Sequence, residues 1–273
     1  MKGNDSYYRR LQANFDWYAS KYDEKIEEND IENYMRETSS GILLGLFAPG
    51  DTVLEVGCGT GQETIRLLSR GIRVQAVDIS SMMIETLKRK AEAEGVSANL
   101  STFVGKAADI GKMIGKGELF DGVFSTFGAI NSEPNVAEFI SGVGTVLKPG
   151  GYFVAGVWNR FCLFEILFYG LTLRWRRLLS RFNGISLKGS SRFFIDTMSY
   201  SVRDFKHMLG GSFTIESICG VPVIAPPPDF FHKLKALHIP VDILLRADAW
   251  FSDIIPFSNF GDFSIIVSRK KYI

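Results

Sequence analysis

The chain has 273 residues, 46% of them apolar, enough for one large domain, or one domain with an elaboration, to bury a core without disulfide or metal staples. A net charge of +1 gives no global basic footprint for DNA or RNA, and the longest stretch free of charged residues, 38–50, is too short to span a bilayer as a helix. Cys58, Cys162 and Cys219 have no metal-ligand spacing and the N-terminal MKGNDSYYRRLQ has no apolar secretory segment, so a reduced cytoplasmic protein is expected.

In chain order, residues 1–50 read as an N-terminal helical region. TVLEVG follows as an apolar run suited to a strand buried on both faces. The helix after GCGTG, roughly 62–70, carries Ile65 and Leu68 on one side and is stopped by Gly71. IRVQAVDIS is a second strand ending at Asp78. Ser80 then caps a helix through SMMIETLKRKAEAE, with Met83, Leu87 and Ala91 on one stripe and Gly95 closing it. NLSTFVG, FDGVFSTF and YFVAGVW supply three more strands, with a helix begun at Pro134 and the turn LKPGG before the last. Five strands with helical crossovers argue for an α/β fold built on a doubly wound, mostly parallel sheet, its core spanning 51–158. Two insertions, 159–203 and 221–261, flank the helix and strand of RDFKHMLGGSFTIESICG, and DFSIIVSRK is the final strand. In the first insertion Phe164, Phe168, Leu171, Trp175, Leu178, Leu179 and Phe182 fall at helical spacing, with Arg174, Arg177 and Arg181 on another face. One strongly amphipathic helix is expected there. Its apolar face either packs on the core as a lid or docks on a membrane surface or a lipid. The second insertion reads as two shorter helices broken at Pro240.

The stretch VLEVGCGTGQ, 53–62, places Gly57, Gly59 and Gly61 between a buried strand and a helix, where backbone can approach a ligand and free N–H groups attract an anion. A G-x-G-x-x-G dinucleotide register would need glycine where Gln62 stands. A P-loop would need Gly-Lys-Ser/Thr, and none follows Gly61. Asp78, at the carboxyl end of the second strand, can accept both hydroxyls of a ribose. Its competing reading, the N-cap of the next helix, is a role that Ser80 already fills.

The pattern E-x-G-x-G-x-G resembles the first motif of the class I S-adenosylmethionine-dependent methyltransferases, carried here by Glu55, Gly57, Gly59 and Gly61. Asp78 matches their second motif, FDGVFSTFGAIN their third and LKPGG their fourth, in order, over about 51–158. The resemblance implies a Rossmann-like methyltransferase fold and S-adenosyl-L-methionine as cofactor, its methionine end over the glycine loop. The residues it implies for cofactor binding are Glu55, Gly57, Cys58, Gly59, Gly61, Asp78, Ile79, Ala107, Ala108, Asp109 and Phe127, with Ile79 flanking the adenine. In one departure, GKAAD puts Lys106 where many relatives carry an acid beside the adenine amine. Asp109, or the backbone of Ala107 and Ala108, is left to make that contact. Asp109 reads equally well as a solvated helix cap, and Phe127 as ordinary core.

The resemblance also excludes reactions. STFGAIN stands where amino-methylating enzymes carry Asn- or Asp-Pro-Pro-Tyr, and no cysteine lies between Cys58 and Cys162 to serve C5 methylation of cytosine. Methyl transfer from a sulfonium needs in-line attack, which alignment and water exclusion largely supply, so a general base is optional and no catalytic residue or metal is assigned. His207, His232 and His238 read as surface or packing residues. Asn131, Asn159, Glu165, Trp175 and Tyr200 are the candidates for touching the acceptor. The expected function is methyl transfer to a small hydrophobic acceptor, lipid-like acceptors included, and the chain also resembles, less specifically, the quinone and sterol methyltransferase type. The rival readings are a non-catalytic S-adenosylmethionine-binding regulator and an RNA-modifying enzyme using the arginine-rich helix.

Overall fold

The computed structural model describes residues 2–115, 117–183 and 197–272, so 184–196 of the first insertion lie outside the described residues. Helices α1 (Lys2–Tyr18), α2 (Tyr22–Glu27) and α3 (Asp30–Leu46) come first. They are followed by β1 (Thr52–Val56), α4 (Gln62–Leu68), β2 (Arg73–Asp78), α5 (Ser81–Ala93), β3 (Leu100–Val104), α6 (Ile110–Met113) and β4 (Phe120–Ser125). The chain continues through α7 (Ala129–Ser132), α8 (Val136–Val146), β5 (Leu147–Trp158), α9 (Leu163–Leu171), α10 (Trp175–Phe182) and α11 (Val202–Leu209). It ends with β6 (Phe213–Val221), α12 (Phe231–Ala236), α13 (Val241–Ala249) and β7 (Phe263–Lys270).

The seven strands form one sheet in the order β3-β2-β1-β4-β5-β7-β6, the doubly wound arrangement expected. β1 pairs in parallel with both β2 and β4, so the strand order reverses beside it, while β7 runs antiparallel between β5 and β6. Ligands of such sheets sit at that reversal, outside the carboxyl ends of the strands. The apolar runs of the inner strands are explained by burial on both faces. Val53, Val74, Ala76 and Phe124 pack toward α3, α4 and α5, whereas Leu54, Val77, Val123 and Phe153 pack toward α6, α8 and α11. Ser80 caps α5 as expected, its hydroxyl accepting from Met83 N at 3.1 Å.

The insertions carry the main difference from expectation. The amphipathic stretch 164–182 is two helices, because the chain turns at Leu173, which adopts a left-handed φ of 54°. Arg181 is also not on an open basic stripe. It is buried, pairing with Glu165 Oε2 at 2.6 Å and Asp262 Oδ1 at 2.9 Å and donating to the carbonyls of Asn159 and Asp262. Burial disfavours its charge, but Asp262 and Glu165 hold the guanidinium firmly protonated. The insertion is thereby pinned to the start of β7. The second insertion is tied down by Asp248, whose Oδ1 accepts from the N–H groups of Val223, Ile224 and Ala225 at 2.7–2.8 Å. Phe230 joins the two insertions, its ring centroid 5.1 Å from those of Phe164 and Phe168.

Arg181→Ala would remove the buried cation that pairs with Glu165 and Asp262, and chemical denaturation should show a loss of about 3–5 kcal/mol. Arg177→Ala, on the same expected stripe but exposed, should change stability by less than about 0.5 kcal/mol. Equal effects of the two substitutions would contradict this division.

Candidate functional site

The loop after β1 is shaped by its glycines. Gly57, Gly59 and Gly61 have φ of 78°, 53° and 82°, a left-handed region that L side chains rarely adopt. A Cβ on Gly57 would collide with Ala129. One on Gly59 would meet nothing nearer than Tyr22 at 3.8 Å, so the space over Gly59 is open. Asp78 closes the loop from β2: its Oδ2 accepts from Gly59 N at 2.9 Å and its Oδ1 from Ser80 N at 2.8 Å. Burial pushes this carboxyl up to about 6, against the opposing effect of those two N–H donors.

Over the loop lies a cleft of about 640 Å³. Its floor is Gly57, Gly59, Asp78, Ile79, Ala107 and Phe127, and α1 roofs it with Tyr8, Leu11 and Phe15. A second, smaller space of about 260 Å³ adjoins it, with Tyr22, Gly57, Gly59 and Phe127 as common walls, and adds Arg36, Cys58 and Glu63. Arg36 is buried, donates from Nη1 to both oxygens of Glu63 at 3.1 and 3.2 Å, and lies 4.2 Å from the Phe127 ring centroid. Its Nη2 donates to the Tyr22 hydroxyl at 3.1 Å. Burial works against the charge of Arg36, and Glu63 beside it restores and raises its affinity for the proton.

This donor set fits S-adenosylmethionine. Asp78 offers a carboxylate to a ribose diol, Ile79, Met83 and Ala107 offer apolar surface to a planar base, and Arg36 with Glu63 complements a zwitterionic amino acid across the open face of Gly59. No lysine or P-loop is needed, because the ligand carries no phosphate.

The N-terminal helices hold every loop of the cleft. Asp23 of α2 accepts from Thr60 Oγ1 at 2.6 Å and Gln62 Nε2 at 2.9 Å, and pairs with Lys90 at 2.8 Å. Asp16 accepts from Ser80 Oγ at 2.6 Å. Tyr7 donates to Ser132 O at 2.8 Å, and Tyr8 donates to Glu133 Oε1. Lys106 lies 4.4 Å from the Tyr8 ring centroid and 3.3 Å from Asp5.

Of the residues implied by the resemblance, Gly57, Gly59, Asp78, Ile79, Ala107 and Phe127 meet at the cleft, and Cys58 lines the smaller space. Glu55 sits beneath the loop, accepting a hydrogen bond from Thr64. Burial, reinforced by Glu63, pushes its carboxyl well above the usual carboxylate range. Gly61 starts α4 and packs on Leu87. Ala108 donates its N–H to Glu133 Oε2 at 3.3 Å. Asp109 pairs with Lys112 at 3.5 Å and is not in the cleft wall.

The acceptor candidates lie elsewhere. Asn131 bridges Trp158 and Met198, Asn159 spans Phe161 and Asn259, Glu165 serves Arg181, Tyr200 pairs its backbone with Trp158 and Arg160, and Trp175 is exposed on α10. Sequence reasoning did not select Tyr8, Leu11, Phe15, Tyr22, Arg36, Glu63 or Glu133. For Arg36 a signal existed: Arg36, Ser39, Ser40 and Leu43 form one buried helical stripe, and a cation on such a stripe calls for a partner.

Residues 53–151 match a family model described as a methyltransferase domain. The chain is 29% identical over 176 residues to the demethylmenaquinone methyltransferase of Symbiobacterium thermophilum, covering 62% of this chain and 67% of that protein. It is 31% identical over 137 residues to the ubiquinone biosynthesis O-methyltransferase of Methylocella silvestris, covering 46% and 51%. The matches thus reach over about half to two thirds of these relatives' length. Among solved structures, the complex between the Haloferax volcanii Trm112 methyltransferase activator and the putative methyltransferase aligns with a TM-score of 0.63 at 16% identity, over 94% of this chain and 98% of that one.

Hydroxyl donors need the ionised form of Asp78. Cofactor affinity measured by calorimetry should therefore be flat above about pH 6 and weaken toward tenfold per pH unit below it. Asp78→Ala should weaken binding by about 10- to 150-fold and abolish this pH dependence. An unchanged acid limb in the variant would assign it to another group.

Proposed function

The chain belongs to the class I S-adenosylmethionine-dependent methyltransferases, and on that premise we propose that it transfers the methyl group to a small hydrophobic acceptor. The observation that carries this is the pair of joined cavities. One end is built for a nucleoside and the other for an amino acid, and the walls they share, at Tyr22, Gly59 and Phe127, are where a reacting centre between those two ends would lie.

When bound, the cofactor supplies an electrophilic methyl on a sulfonium. The protein's part is orientation and exclusion of water. Asp78 would accept from the ribose hydroxyls, while Arg36 and Glu63 would engage the carboxylate and ammonium of the methionine end. Leu11 and Phe15 of α1, roofing the cleft, would help exclude water from it. Tyr22 accepts from Arg36 and retains its own proton to donate. Burial, opposed only in part by Arg36, raises its pKa and keeps it neutral, so it can orient an acceptor oxygen without competing as a nucleophile.

A hydrophobic acceptor is favoured by the apolar groups Leu11 and Phe15 that line the roof of the cleft. The quinone-pathway names of the relatives point the same way. None of the three histidines lines either cavity, in keeping with catalysis by alignment. All three cysteines are buried free thiols, which suits a reduced, cytoplasmic setting.

Incubation with methyl-labelled S-adenosylmethionine and a cell extract should place label in the lipid-soluble, low-molecular-weight fraction. Label confined to protein or RNA would overturn the acceptor class, and binding without any transfer would indicate a regulator. Folded Gly59→Val should show no measurable cofactor binding and no transfer, since its side chain would fill the open space over residue 59 in a strained left-handed backbone.

A further inference from the structure

The turn between α9 and α10 has an unusual surface. Residues 171–177, LTLRWRR, are all exposed. Leu171 is 85% exposed, Leu173 71% and Trp175 53%, and Leu167 and Leu179 on the flanking helices are 56% and 54% exposed. The inward sides of both helices are already occupied: α9 buries Glu165 and Tyr169, α10 buries Leu178 and Arg181, and Phe164 and Phe168 pack on Phe230. These four leucines and the tryptophan therefore face away from the chain's own packed aromatic cluster, at the helix-to-helix turn where the backbone reverses through Leu173.

The charge along this segment has one sign. Arg174, Arg176 and Arg177 are exposed, and no Asp or Glu occurs from 166 to 183. The nearest acid before this stretch, Glu165, is buried and neutralised by Arg181.

We propose that the α9–α10 turn is a docking surface for an anionic lipid bilayer, with Leu171, Leu173 and Trp175 entering the headgroup boundary and the three arginines engaging lipid phosphates. Charge complementarity selects this occupant: guanidinium groups pair with phosphates, while leucines and an amphipathic indole gain from the acyl boundary directly beneath. A nucleic acid would match the arginines but offers nothing to four exposed leucines. Among the described residues no helix is long and apolar enough to cross a membrane, so the contact is peripheral. The use of such docking, collecting an acceptor dissolved in the bilayer, rests on the hydrophobic-acceptor reading above. The docking itself does not.

The test uses the full chain without acceptor. Co-sedimentation is measured with vesicles of phosphatidylcholine alone and of phosphatidylcholine mixed with phosphatidylglycerol, at low and high salt. Wild type should sediment with the anionic vesicles, less at high salt, and poorly with neutral ones. Substituting all three arginines with glutamine should weaken the binding on the order of 100-fold, roughly fivefold for each cation lost. Leu173→Asn, which removes apolar surface without adding charge, should weaken it to a similar degree at low and high salt. All these positions are exposed, so folding is expected to survive, and unchanged affinity for S-adenosylhomocysteine in the arginine variant confirms that it does. Absence of wild-type sedimentation with anionic vesicles at low salt would overturn the proposal, as would full retention of binding in both variants. Salt-sensitive binding of RNA in place of vesicles would reassign the surface. Failure to label a lipid-soluble product, with vesicle binding intact, would count only against the acceptor reading.

Discussion

The cleft depends on one constraint: the N-terminal helices grip the loop that follows each of the first four strands. Asp23 holds Thr60 after β1, Asp16 holds Ser80 after β2, Asp5 and the Tyr8 ring hold Lys106 after β3, and Tyr7 and Tyr8 hold Ser132 and Glu133 after β4. A parallel sheet presents these loops at one edge but does not close them over a ligand. Closure is supplied by the helices that precede the sheet in the chain. The bonds involve groups of different strength. Asp5–Lys106 is exposed and contributes little, whereas Tyr8–Glu133 is buried and its loss would remove one of three donors to a buried carboxylate.

Those same bonds decide where charge can reside in the cleft. Glu133 accepts from Tyr8, Asn135 and Ala108, and Glu63 is paired with Arg36, whereas Asp78, in the wall of the cavity, accepts from the backbone N–H groups of Gly59 and Ser80. The pKa of Asp78 is raised because burial, with Asp16 nearby, outweighs the backbone donors of Ser80, Gly59 and Ile79, and hydroxyl donors from a ligand would act in the same direction as those donors.

The core of this arrangement was legible in the sequence because its physics is local. Strand runs buried on both faces, the Ser80 cap, the glycine spacing and Pro240 before α13 each report a backbone requirement of a few residues. The roof was not legible. Tyr8, Leu11 and Phe15 lie on an amphipathic helix whose partner is named by no local feature, and Glu133 acquires its role from Tyr8, 125 residues away. The break at Leu173 was hidden for a different reason: the apolar spacing continues across it, and only Gly170 and Thr172, poor helix formers, mark the interruption. Arg181 looked like a member of a basic stripe because its partners Glu165 and Asp262 come from separate segments, 16 and 81 residues away.

Lys106 shows how a departure from a motif can be explained by another element. An acid at this position would face Asp5 in place of the present cation, so it would repel the roof that α1 provides. Lysine instead places its ammonium over the Tyr8 ring and beside Asp5, drawing α1 down on the side of the cleft where Ile79 and Ala107 form an apolar slot. On the proposed placement of the cofactor, the residue that cannot accept from an adenine amine would help enclose the base in apolar surface, with Leu11 and Phe15 as the covering groups. The substitution and the N-terminal helix are one solution, and neither is intelligible without the other.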